Sequence, residues 1–119
     1  MWNVELFVSS SGQCPVEHLL ESLTYPKLKA KVLRDLDLLE RFGINLREPY
    51  VKKLKDTRGS MFELRSIQGN HHVRIFFIFS SQKRIVLLHG FVKKQSKTPR
   101  KEIDLAFHYK KECEYRYGK

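Results

Sequence analysis

The sequence predicts an α+β domain. A small antiparallel sheet carries helices packed against it, in the order strand, two-helix hairpin, three-strand meander and C-terminal helix. Three observations carry that expectation. Runs 61–67, 72–79 and 84–92 are rich in aromatic and branched residues, and short polar links join them. Residues 15–42 repeat apolar side chains at helical spacing. Thr98, Pro99 and Glu102 mark the start of a last helix.

WNVELFVS at 2–9 alternates, with Trp2, Val4, Leu6 and Val8 on one side and Asn3, Glu5 and Phe7 on the other, and reads as a strand. Val16, Leu19, Leu20 and Leu23 predict a first helix opened by Pro15. Thr24, Tyr25 and Pro26 interrupt it. Leu28, Val32, Leu36 and Leu39 predict a second helix, stopped by Gly43, whose other face is charged. INLREPYVKKLKDTRGS reads as a polar connector in which Leu54 dips toward the core. The three strand runs then form a meander, turned by QGNH and SSQK, with the aromatic middle run at the centre of the sheet. Ile103, Ala106, Phe107 and Cys113 line the inner face of the last helix, and its polar end is expected to fray.

A chain of 119 residues fits a single domain over 1–119 and is large enough to bury a core without staples. Cys14 and Cys113 read as reduced thiols, since two cysteines make neither a disulfide framework nor a metal set. No apolar run is long enough to span a bilayer. MWNVELFVSS lacks a basic leader region, so the expected location is cytoplasmic. Walker, GxGxxG, GxSxG and HExxH patterns are absent, and no cofactor or metal is expected.

Charge is the strongest global signal. Lys and Arg total 23 against 13 acids, a net charge of +10 that favours a polyanionic partner. The excess is concentrated. Between Leu64 and Lys101 there is no Asp or Glu, while Arg65, Arg74, Lys83, Arg84, Lys93, Lys94, Lys97, Arg100 and Lys101 all fall there.

The candidate residues come from that window. A turn near Gly69 and Asn70 sets Arg65 and Arg74 opposite each other on adjacent strands. Two like charges so placed call for a neutralising group, which a phosphate or a nearby acid such as Glu63 supplies. His89 interrupts an apolar strand, either as an acid/base group or as a hydrogen-bonded core histidine. His71 and His72 sit by a turn and read as solvated. Lys93, Lys94, Lys97, Arg100 and Lys101 line the exit from the last strand into a helix N-terminus, a place suited to phosphate. Phe91, just before them, is either core or a stacking platform for a base.

The segments FELR, HVRIFF, RIVLLHGFVKK and KTPRKEIDLA, in this order, resemble the RelE/ParE superfamily of type II toxins, and most closely its phage-derived HigB-like branch. The resemblance runs over essentially the whole chain. It implies a metal-free endoribonuclease that cuts messenger RNA on the ribosome, and neutralisation by a helix-turn-helix antitoxin. It places the functional arginines at Arg65 and Arg74 and the basic pair at Lys93 and Lys94. The chain departs from well-known RelE toxins at Met61 and Glu63, where those carry lysines, and at Ile103 and Asp104, where those carry a tyrosine. No side chain stands out as a dedicated base. Two other readings fit the charge: a ParE-like toxin that blocks gyrase by binding it, and a basic RNA- or ribosome-binding module without catalysis.

Overall fold

A computed structural model describes residues 1–94 and 97–118. The elements are β1 (Asn3–Leu6), α1 (Pro15–Ser22), α2 (Pro26–Phe42), β2 (Val51–Leu54), β3 (Met61–Gln68), β4 (His71–Ser80), β5 (Arg84–Lys93) and α3 (Arg100–Tyr117). They form an α+β fold with one five-stranded sheet, in the order β1-β5-β4-β3-β2. It is compatible with the small RelE-like architecture expected, and the aromatic run is indeed central.

Several details differ. The connector contains β2, whose four residues pair antiparallel with β3, Val51 opposite Leu64 and Leu54 opposite Met61. The sheet is mixed, not purely antiparallel: β1 runs parallel to β5, Asn3 beside Arg84 and Leu6 beside Leu87. Phe7 is buried against α3, 5.2 Å from the Tyr109 ring, while Leu6 and Val8 are exposed. The last helix extends to Tyr117, with Gly118 as its C-cap. It starts at Arg100 with Pro99 as N-cap, and Thr98 does not cap it.

The sheet has two different covers. On one face, Leu28, Val32 and Leu39 of α2 and Val16 and Leu19 of α1 pack on Leu64, Val73, Ile75, Phe77, Ile85 and Leu87. Burying each such side chain is worth about 1.5–3 kcal/mol. On the other, Ala106, Phe107 and Cys113 of α3 pack on Met61, Phe76, Ile78, Val86 and Leu88. Two glycines permit close approach. A Cβ on Gly43, which has φ +52° and ends α2, would lie 2.0 Å from the Trp2 indole nitrogen. A Cβ on Gly90 would lie 2.4 Å from Leu19, so α1 sits directly on the β5 backbone. A bulge between Phe76 and Phe77 sets the β4–β5 register so that Arg74 pairs with Phe91 and His72 with Lys93.

One polar cluster crosses the hairpin side. Asp35 is fully buried, pairs with Lys31 at 2.8 Å and accepts a 2.8 Å hydrogen bond from the Ser66 hydroxyl. It pins α2 to β3 at one register.

Candidate functional site

Strand alternation builds the site. On β3, Glu63 and Arg65 point to the α3 side; on β4, His72, Arg74 and Phe76 do; on β5, His89, Phe91 and Lys93 do. Near the α3 N-terminus this face turns from apolar to charged.

Arg65 and Arg74 stand directly opposite, as the turn predicted. Their counter-charge is Glu63. Its carboxylate accepts a 3.1 Å hydrogen bond from Arg65 Nε and lies 3.8 Å from Arg74 Nε. Its other oxygen accepts a 3.0 Å hydrogen bond from the Thr98 hydroxyl. Thr98 therefore serves a buried carboxylate instead of the helix end. Glu63 is 1% exposed and Arg74 is 4% exposed. Burial pushes the Arg74 pKa down, Glu63 opposes that, and Arg65 adds to it. Arg65 is the outer arginine, with its side chain 26% exposed, and the Glu63 contact takes one of its five guanidinium donors.

Three more groups surround the pair. Lys52 on β2 lies opposite Glu63. Lys93 on β5 has its pKa lowered by burial first, then by Arg74. His72, opposite Lys93 and between it and Ile67 in the sheet, has its pKa lowered by burial, then by Arg74 and by Lys93. Its neighbour His71 faces the other way, 4.9 Å from the Tyr25 ring.

The fold thus brings Arg65, Arg74 and Lys93 together and leaves other candidates apart. His89 lies under α3, where its Nε2 is 2.8 Å from Glu102 and its ring lies among Phe76, Phe91 and Tyr109. Its Nδ1 is buried without a hydrogen-bond partner among the described residues. That geometry ties β5 to α3. Phe91 is buried and stacks on Phe76 at 5.8 Å. Lys94, Lys97, Arg100 and Lys101 are exposed around the α3 start, and Arg100 lies 3.6 Å from Asp104. Residues 95 and 96, in the same basic stretch, lie outside the described residues.

Sequence reasoning left His72 and Lys52 out of this cluster and gave Glu63 only as one possible counter-charge. Parity already put Glu63 with Arg65 and His72 with Arg74. Lys52 had no such signal until β2 was recognised. Among the described residues, no three His, Cys, Asp or Glu side chains converge as a metal site, and no helix is long and apolar enough to cross a membrane.

A family model described as "Phage derived protein Gp49-like (DUF891)" matches residues 23–111. The chain belongs to this family, a RelE/ParE-like family associated with the toxins of toxin–antitoxin systems. Membership implies an antitoxin partner. A comparison with curated proteins returns no significant match.

Proposed function

We propose that this Gp49-like chain is a HigB-type endoribonuclease that cuts messenger RNA on the ribosome, without a metal, and is neutralised by a helix-turn-helix antitoxin. One observation carries the reading: Arg65, Arg74, Lys93 and Lys52 gather at the charged end of one sheet face, around a single buried carboxylate. The reaction is attack of a ribose 2′-hydroxyl on the adjacent phosphate, giving a 2′,3′-cyclic phosphate and a free 5′-hydroxyl.

Arg65, the exposed member, holds the scissile phosphate and stabilises the charge that develops on it. Arg74 is too deeply buried for direct contact as it stands; it raises the positive potential behind Arg65. Lys94, Lys97, Arg100 and Lys101 hold flanking phosphates. Phe91 and His89 support the sheet and helix beneath. Alignment of the RNA by the ribosome supplies much of the remaining rate.

The test maps RNA 5′ ends after incubation with purified ribosomes. Arg65→Ala is expected to lower cleavage about 10²–10³-fold per folded molecule, with some loss of melting temperature because buried Glu63 loses a hydrogen bond. Wild-type cleavage by the folded variant removes Arg65 from the mechanism. Intact messenger with arrested supercoiling would favour the gyrase-binding reading. Salt-dependent RNA binding without cut ends would favour a non-catalytic module.

A further inference from the structure

We propose that His72 is the group that accepts the 2′-hydroxyl proton, with Lys93, its cross-strand neighbour, donating to the leaving 5′-oxygen. The inference rests on the endoribonuclease reading above and supplies the base that reading lacks.

Elimination and placement both lead there. A base must be able to receive a proton near neutral pH and must reach the phosphate held by Arg65. Glu63 is 1% exposed, and its two oxygens are taken by Arg65 and Thr98. His89 is covered by α3, with Nε2 committed to Glu102. Asp35 lies on the opposite side of the sheet. His72 is only half-buried, shares the face of Arg74 two residues away, and pairs in register with Lys93.

The groups beside His72 set its protonation. On its own strand the nearest charge is Arg74, on β5 it is Lys93, and on β3 its partner is the apolar Ile67, with Arg65 two residues along the same face. Burial and the two cations disfavour the imidazolium, so the ring stands neutral and ready to accept. The same surroundings lower the Lys93 pKa and make its ammonium a better acid.

The step balances. His72 takes the proton as the 2′ oxygen bonds to phosphorus. The bond from phosphorus to the 5′ oxygen of the next nucleotide breaks, and that oxygen leaves with a proton from Lys93. Exchange with water then returns both side chains to their starting states.

The experiment measures single-turnover cleavage on programmed ribosomes from pH 5 to pH 8 for wild type, His72→Gln, His72→Ala and the neighbouring control His71→Ala. Loss of the base is expected to slow cleavage about 10²–10⁴-fold. The acidic limb of the wild-type profile should vanish in His72→Gln, and added imidazole should partly restore His72→Ala. A strand merely weakened at this position would give neither the lost limb nor the rescue. His72 variants that cleave at wild-type rates with an unchanged pH profile overturn the assignment and leave the nuclease intact. If the wild type itself cuts no RNA on ribosomes, the nuclease reading fails and this assignment falls with it.

Discussion

The two faces of the sheet use the same strands to opposite ends. On β4, Val73, Ile75 and Phe77 face the α1–α2 pair and are all fully buried. Their alternates run from apolar Ile78 and Phe76 to Arg74 and His72 along the α3 side. Two helices cover the first face, so its buried positions pack against carbon apart from the Asp35–Ser66 pin. One helix covers the second, and it begins only at Arg100, leaving the β3–β4 turn end to charged residues. A domain of this size can thus pack one face with carbon and leave half of the other charged.

The largest effect that can test this division lies at Glu63. Glu63→Ala leaves Arg74 buried without its anion, and breaking a buried pair in this way typically costs about 3–5 kcal/mol. Chemical denaturation should show that loss. Glu63→Leu with Arg74→Leu should recover most of it, because replacing both members of a buried pair removes the uncompensated charge. A double variant no more stable than Glu63→Ala would mean that Glu63 holds the fold through Thr98 and not through the arginines.

The opposite face should respond in the opposite currency. Phe77→Ala opens a cavity beside Phe62 and Phe79 and is expected to cost about 3–5 kcal/mol. The fraction that stays folded should cleave RNA as fast per molecule as wild type. A specific activity well below that would show that the hairpin face transmits strain to the charged end, and the separation of roles would be lost.

Most of this architecture was readable from residue patterns, and the failures have physical causes. Helical spacing located α1 and α2 because their buried residues fall on one stripe. The QGNH turn set the β3–β4 register, which is why Arg65 and Arg74 could be paired in advance. β2 escaped notice because VKKL is four residues long with two exposed lysines, a pattern shared with loops. The parallel placement of β1 depends on a partner some 80 residues away, and alternation carries no record of strand direction. The setting of Arg74 was equally hidden, since its counter-charge Glu63 sits on another strand and is held by Thr98, 35 residues further along the chain. His72 reads as solvated from its place next to a turn, whereas the fold leaves it half-buried on the face of Arg74.

The smallest effect concerns His72 as a reporter of its half-face. Its folded pKa lies below the ordinary 6.5, through burial and then the charges of Arg74 and Lys93. Between the folded value and 6.5 the unfolded chain binds more protons at this site than the native one. Stability therefore rises with pH across that window, and the penalty returns as pH falls below 6.5. Above the window both states are neutral and the term is zero. His72→Gln removes it, so the melting temperature of the variant should climb less steeply than that of wild type from acidic pH toward neutrality. His71→Ala, on the other face against Tyr25, should keep the wild-type slope. Parallel curves for wild type and His72→Gln would place the imidazole in solvent, away from the two cations. The charged end of the face would then stop at Arg74.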